Sequence, residues 1–112
     1  MTSGNKILIA DDEPDILEII EFNLQAQGYD VTTAKNGDEA FEKAKQVKPD
    51  LIILDIMMPG KNGIEVCKML RMIPAFKQTL IVFLTALSDE TTEIKGLETG
   101  ADDYLTKPIS PK

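Results

Sequence analysis

The chain has 112 residues, 43% of them hydrophobic, with a formal net charge of −7, one cysteine and no histidine. This length and apolar content predict a single domain that builds its own core. The negative charge disfavours direct binding to nucleic-acid phosphates. The lone Cys67 cannot form an internal disulfide, which is typical of a reducing cytoplasm. Without histidine there are no histidine zinc sites or Ser-His-Asp triads, and the four apolar residues before Asp11 are too few for a signal peptide or membrane span.

Five segments are predicted to be strands, in chain order. Three are short, continuous apolar runs, which are typical of strands covered on both faces of a parallel sheet. The second and fifth are more polar, as edge strands tend to be. The predicted strands are residues 7–10, 29–34, 51–54, 80–84 and 103–106.

The segments between the strands carry apolar residues at helical spacing, bounded by capping residues, prolines or glycines. The predicted helices run from Pro14 to Gly28, from Asn36 to Pro49, from Gly63 to Met72 and from Ser88 to Thr99. Alternating strands and helices indicate an α/β fold with right-handed crossovers. We predict a doubly wound, flavodoxin-like sheet of five parallel strands in the order 2-1-3-4-5, with a ligand site at the carboxyl ends of strands 1 and 3.

Polar residues follow the predicted strands at that same edge. Asp11 and Asp12 follow strand 1, Asp55 follows strand 3, Thr85 follows strand 4 and Lys107 follows strand 5. Taken singly, each has a structural explanation, such as a helix cap for the acidic pair. Together, three carboxylates favour a hard divalent cation such as Mg²⁺. A cation and a lysine can hold a phosphoryl group, and an aspartate can serve as its nucleophile.

Four motifs, spread from Lys6 to Pro108, resemble the response-regulator receiver domain of two-component signalling. They occur in the family's order and spacing. The motifs are Ile7-Leu8-Ile9-Ala10-Asp11-Asp12-Glu13-Pro14, Asp50-Leu51-Ile52-Ile53-Leu54-Asp55-Ile56-Met57-Met58-Pro59-Gly60, Leu84-Thr85-Ala86, and Gly100-Ala101-Asp102-Asp103-Tyr104-Leu105-Thr106-Lys107-Pro108.

The resemblance implies a signalling phosphoacceptor rather than an enzyme, with Mg²⁺ as cofactor and a sensor histidine kinase or histidine phosphotransfer protein as partner. It also implies a role for each matching residue. These are Asp55 as phosphoacceptor and metal ligand, Asp12 as direct metal ligand, Asp11 as a ligand acting through water, the backbone carbonyl of Met57 as a further ligand, Thr85 and Lys107 as contacts of the phosphoryl group, Thr85 and Tyr104 as switch residues, Ala86 as the small residue that keeps the phosphate accessible, and Pro108 as a proline usually preceded by a cis bond.

Two other classes of protein compete with this interpretation. A hydrolase of the haloacid dehalogenase type also forms an aspartyl-phosphate. That family usually has a second aspartate two residues after the nucleophile, where this chain has Met57, and a cap domain for which this chain has no length. An inactive pseudo-receiver would be expected to lack the nucleophile, the acidic pair or the lysine, and this chain has all of them.

The chain departs from the family after Lys107-Pro108, where receivers usually continue into a fifth helix. Four residues remain, Ile109-Ser110-Pro111-Lys112. We therefore expect residues 1–112 to be one receiver domain trimmed at its carboxyl terminus, with the fifth helix missing. Apolar sheet surface left uncovered in this way predicts lower stability and a tendency to associate, including as a homodimer.

Overall fold

The computed structural model describes residues 5–85 and 100–106, with backbone alone at residues 85 and 106. Its sheet has five parallel strands in the order β2-β1-β3-β4-β5, which confirms the predicted topology. The strands are β1 (Lys6–Ala10), β2 (Asp30–Ala34), β3 (Leu51–Asp55), β4 (Leu80–Thr85) and β5 (Asp103–Thr106). The two more polar strands, β2 and β5, lie at the edges as predicted.

Three α-helices lie within the described residues: α1 (Pro14–Ala26), α2 (Gly37–Val47) and α3 (Gly63–Arg71). The predicted Asn36 cap is confirmed, because its side chain accepts a hydrogen bond from the N–H of Glu39 at 2.8 Å. Asn62 forms a full capping box with Glu65 at the start of α3. Such caps satisfy backbone N–H groups that have no partner inside the helix.

Several predicted boundaries differ from the structure by a residue or more. Asp55 and Thr85 are the last residues of their strands rather than the first residues beyond them. Helix α3 ends at Arg71 instead of Met72, and a 3-10 helix that the sequence did not predict follows at Pro74–Phe76. The helix predicted between Ser88 and Thr99 lies outside the described residues, as does any helix after β5.

The sheet separates two apolar clusters. The larger one joins one face of the sheet to α2 and α3 through fully buried residues such as Ala40, Val66 and Phe83. It includes Cys67, which is buried and forms no disulfide. The smaller cluster joins the other face to Leu17 and Ile20 of α1. In the described part of the chain, no helix has the length and apolar character needed to cross a membrane.

Candidate functional site

The carboxyl ends of the two central strands bring three acidic side chains together. Asp11 and Asp12 come directly after β1, and Asp55 is the last residue of the neighbouring strand β3. One carboxylate oxygen from each lies within 4.8 Å of the others. This confirms the prediction that these residues converge, and it places them where the crossovers change direction, the usual ligand position in such sheets.

Burial and hydrogen bonds fix the orientation of two of the three carboxylates. Asp11 is fully buried and Asp55 is only 3% exposed, whereas Asp12 is exposed to solvent. The Oδ1 atom of Asp11 accepts a hydrogen bond from the N–H of Glu13 at 2.9 Å, and Oδ1 of Asp55 accepts one from the N–H of Met57 at 3.3 Å. Asp11 therefore binds the backbone N–H of Glu13, the residue directly before α1. Glu13 occupies the cap position without a side-chain bond.

The donor set fits a hard divalent cation. Carboxylate oxygens are preferred ligands of Mg²⁺, which binds them at about 2.0–2.1 Å, so two ligands on opposite sides of the ion are about 4.2 Å apart. The three oxygens lie within 4.8 Å of one another, slightly above that span, so they are near enough to be shared by one ion after a small adjustment. Like charges held this close repel one another, and a bound cation removes that repulsion. Asp11, Asp12 and Asp55 are therefore the residues that would hold Mg²⁺.

The loop after β3 holds Asp55 in place from the other side. The N–H of Ile56 donates to the carbonyl of Leu84 at 3.1 Å, and the N–H of Gly63 donates back to the carbonyl of Ile56 at 3.0 Å. A Cβ atom on Gly63 would lie 2.5 Å from the carbonyl oxygen of Asp55, a contact too short to exist. The first turn of α3 can approach the backbone of Asp55 because residue 63 is glycine.

The sequence analysis missed this role of Gly63 and treated it as the start of a helix. A signal was present: a glycine directly after a capping asparagine, where many residues are tolerated, indicates that something approaches the backbone closely.

Two ion pairs involve acidic residues in the first turn of α2, and the sequence analysis predicted neither. The ammonium group of Lys61 lies 2.7 Å from Asp38, which raises the pKa of Lys61. In the same turn of α2, the carboxylate of Glu39 pairs with Lys43 at 2.8 Å and accepts a hydrogen bond from the N–H of Lys35, so the pKa of Glu39 is lowered. The first pair joins α2 to the loop and the second is internal to the β2–α2 region.

The remaining predicted site residues are described only in part. Thr85 ends β4, and its backbone is in register with Thr106 of β5, at the same edge of the sheet as Asp55. Tyr104 lies on β5 in register with Phe83, and its side chain is 36% exposed. Ala86, Lys107 and Pro108 lie outside the described residues.

Comparison with known proteins agrees with this geometry. The family model for the response regulator receiver domain matches residues 7–112, nearly the whole chain. The chain belongs to the response-regulator receiver domain family. The membership confirms the resemblance drawn from the four motifs and excludes the haloacid dehalogenase alternative.

Named relatives and solved structures support the same family. The chain is 51% identical to the alkaline phosphatase synthesis transcriptional regulatory protein PhoP of Bacillus subtilis, over 97% of this chain and 45% of that protein. It resembles the crystal structure of the chemotaxis response regulator CheY4 of Vibrio cholerae, with 36% identity, a TM-score of 0.91, and coverage of 96% of this chain and 90% of that one. It also resembles the BeF3-activated N-terminal receiver domain of RstA from Klebsiella pneumoniae, with 40% identity, a TM-score of 0.86, and coverage of 96% and 89%. The chain spans about half the length of the curated relatives it matches.

Proposed function

We propose that this receiver domain accepts a phosphoryl group on Asp55 from the phosphohistidine of a sensor histidine kinase or histidine phosphotransfer protein. The observation that carries the proposal is the cluster of Asp11, Asp12 and Asp55 within 4.8 Å at the carboxyl ends of β1 and β3. Family membership supports the same chemistry, since receiver domains are signalling phosphoacceptors. The domain acts as a substrate and switch rather than as a conventional enzyme.

In the proposed step, a carboxylate oxygen of Asp55 attacks phosphorus while the phosphorus–nitrogen bond of the phosphohistidine breaks. The electron pair of that bond returns to the imidazole, and Asp55 becomes a mixed anhydride. The N–H of Met57 donates a hydrogen bond to one oxygen of the Asp55 carboxylate. The side chain is therefore already oriented, and it loses little conformational entropy when it reacts.

Mg²⁺ would bind Asp11, Asp12, Asp55 and the backbone carbonyl of Met57, and when bound it would neutralise charge on the phosphoryl oxygens. Lys107 is assigned the opposite side of the phosphoryl group, as an ammonium partner, and Thr85 a hydroxyl hydrogen bond. Ala86 leaves room for that group beside Thr85. These assignments rest on the family motif.

The proposed signal is a change of surface around β5 and the segment before it. Phosphorylation adds about −1.5 to −2 charges, and hydrogen bonds to charged groups contribute roughly 1.5–3 kcal/mol each. Two new contacts, from Thr85 and Lys107, approach the roughly 5.5 kcal/mol needed to invert a 1:99 equilibrium. We expect Thr85 to move toward the phosphoryl group and Tyr104, now 36% exposed, to turn inward. Thr85→Ala should then be phosphorylated but lose the spectral change of Tyr104.

The phosphoacceptor is tested with acetyl phosphate and intact-protein mass spectrometry, with Mg²⁺ or with EDTA. We expect the wild-type chain to gain one phosphoryl group in Mg²⁺ alone and Asp55→Asn to gain none. Asp50→Asn is the matched control, because Asp50 is an exposed carboxylate just before the other end of the same strand, bound to the N–H of Lys6. Label that persists in Asp55→Asn, or that forms equally in EDTA, contradicts the assignment. A wild-type chain that stays unlabelled identifies a pseudo-receiver.

A further inference from the structure

The loop between β3 and α3 is attached to α2 by contacts that the proposed chemistry does not use. The ammonium group of Lys61 donates to Oδ1 of Asp38 at 2.7 Å. The other oxygen of the same carboxylate faces Gly60, where an added Cβ would lie 3.6 Å away. Gly37, the first residue of α2, sits so close to Lys61 that an added Cβ would overlap the Lys61 carbonyl. The first turn of α2 therefore holds the middle of the loop through both side-chain and backbone contacts.

The ends of this loop are held differently from its middle. At the start, Ile56 bonds to Leu84 through its N–H and is 1% exposed. At the end, Asn62 and Glu65 form the capping box of α3. Between them, Met58 is buried in the core at 7% exposure, whereas Pro59 and Gly60 are exposed, and the described contacts of Gly60 and Lys61 lead to α2. The part of the loop beyond Met58 is therefore held to α2 by contacts that include the pairing of Asp38 with Lys61.

We propose that Asp38 and Lys61 are positioning residues that hold the β3–α3 loop in the geometry required for cation binding beside Asp55. The inference rests on the proposed function, because Met57 lies in this loop and its carbonyl is the assigned metal ligand. Loop and site are coupled through short connections: Met57 bonds to the Asp55 carboxylate, and Gly63 bonds back to Ile56. A loop released from α2 would sample more conformations and present its carbonyl less often in the binding geometry.

Charge alone makes a different prediction, so the two effects can be separated. Near an acidic cation site, removal of the negative charge of Asp38 weakens cation binding, whereas removal of the positive charge of Lys61 strengthens it. Loss of positioning weakens binding in both variants. Because the two residues act as one pair, the double variant should then cost no more than either single variant.

The experiment compares Asp38→Asn, Lys61→Gln and their double variant with Lys45→Gln. Lys45 is the matched control, because it belongs to an exposed ion pair with Glu42 on the same helix and has a side-chain exposure of 43%, against 42% for Lys61. Calorimetry gives the Mg²⁺ dissociation constant, and hydrogen exchange in Mg²⁺-free protein gives the protection of the Met57 and Gly63 amides. We expect both single variants to raise the dissociation constant roughly two- to fivefold, as suits an exposed pair. Both amides should exchange faster, while Lys45→Gln changes neither quantity.

Three results would overturn the proposal: shifts of opposite sign in the two single variants, additive losses in the double variant, or loop exchange that matches the wild type. Failure of the proposed function is recognised separately with the acetyl phosphate assay on the wild-type chain. If the wild-type chain binds Mg²⁺ but is not phosphorylated, the phosphoacceptor role is rejected. The positioning role is then still decided by the Mg²⁺ dissociation constants of the variants. If the wild-type chain binds no Mg²⁺, both the function and the positioning role toward a cation are rejected.

Discussion

The two ends of the sheet differ in how their charged side chains are arranged. At the carboxyl ends of β1 and β3, three carboxylates of like sign lie within 4.8 Å of one another. At the amino ends of β4 and β5, a single cation, Arg71, is 18% exposed and surrounded by acceptors. Its guanidinium group donates to the carbonyl oxygens of Gly100 at 2.9 Å and of Phe76 and Thr79 at 2.7 Å each, and to the carboxylate of Asp102 at 3.0 Å.

This difference distinguishes a binding site from a structural anchor. The arginine joins α3, the 3-10 helix and the turn before β5, and each of its three side-chain nitrogens donates to an acceptor of the protein. The carboxylate cluster, by contrast, is stabilised by a bound cation, which the protein does not itself supply. Removal of the Arg71 side chain should therefore lower stability, whereas removal of a charge from the carboxylate cluster should raise stability and weaken cation binding.

The largest effect on stability is expected from Arg71→Ala. The substitution removes the guanidinium donors that join α3, the 3-10 helix and the turn before β5. It leaves the carbonyls of Phe76 and Thr79 and the carboxylate of Asp102 without that partner. We expect the free energy of unfolding to fall by about 2–4 kcal/mol, measured by urea denaturation without Mg²⁺. Arg71→Lys should recover less than half of the loss, because an ammonium group cannot reproduce the planar fork of donors. A loss within error for both variants would show that the network is not a structural anchor.

The next effect is expected from Gly63→Ala, which affects both stability and the site. The added methyl group would meet backbone atoms of Asp55 and Ile56, which cannot rotate away as a side chain would. Overpacking of this kind costs about 1–3 kcal/mol, and the displaced Asp55 should bind Mg²⁺ more weakly.

Gly28→Ala is the contrast for that variant. Gly28 has a φ of +95° but open space around its Cα, so it should lose stability with unchanged Mg²⁺ affinity. The two variants together separate strain at the site from strain elsewhere. Equal Mg²⁺ affinities in both would contradict the role assigned to Gly63.

A smaller effect of opposite sign is expected from Asp12→Asn. Asp12 is the exposed member of the cluster, and its neutralisation relieves repulsion of about 0.5–1 kcal/mol at this separation in water. In EDTA the variant should therefore be more stable than the wild type. At 100 times the wild-type dissociation constant, Mg²⁺ should stabilise the wild-type chain by about 2.7 kcal/mol and the variant by much less, which reverses the order. Thermal melts of the two proteins in EDTA and in Mg²⁺ measure these stabilities. If the wild type and Asp12→Asn keep the same order of stability in both conditions, the prediction is wrong.

The smallest effect concerns Glu39, whose paired charge lies at the surface in the first turn of α2 and belongs to neither the carboxylate cluster nor the Arg71 network. Its pKa is lowered from 4.5 mainly by the hydrogen bond with Lys43 and by the N–H of Lys35. A lowered folded-state pKa adds stability that is present above the ordinary pKa and is lost as the pH falls through the folded value. With about a third of the side chain exposed, a few tenths of a kcal/mol are expected. Relative to Glu39→Gln, the wild type should be slightly more stable at pH 6, and this difference in the free energy of unfolding should shrink as the pH falls below 4.5. A difference that does not change with pH would exclude the charge as its source.

Much of the architecture could be predicted from local sequence patterns. Apolar runs such as Leu51–Leu54 indicate buried strands because both faces of a parallel sheet are covered. The more polar β2 and β5 were expected at the edges of the sheet. Because crossovers between parallel strands are right-handed, the order 2-1-3-4-5 was then the simplest arrangement. The convergence of Asp11, Asp12 and Asp55 then followed, since parallel strands end at one edge. The differences within the described residues were the ends of elements, such as α3 at Arg71, and the short 3-10 helix at Pro74–Phe76.

The contacts that hold these elements together depend on tertiary structure. In the sequence, Arg71 is one more basic residue at the end of a helix, and its acceptors lie 5 to 31 positions away. Lys61 and Asp38 are 23 positions apart, and nothing in either local pattern marks them as partners. Secondary structure follows a repeating pattern of neighbouring residues, and the strand ends follow from it. A side-chain hydrogen bond between distant segments instead depends on how closely the packed helices and loops approach, which only the folded chain decides.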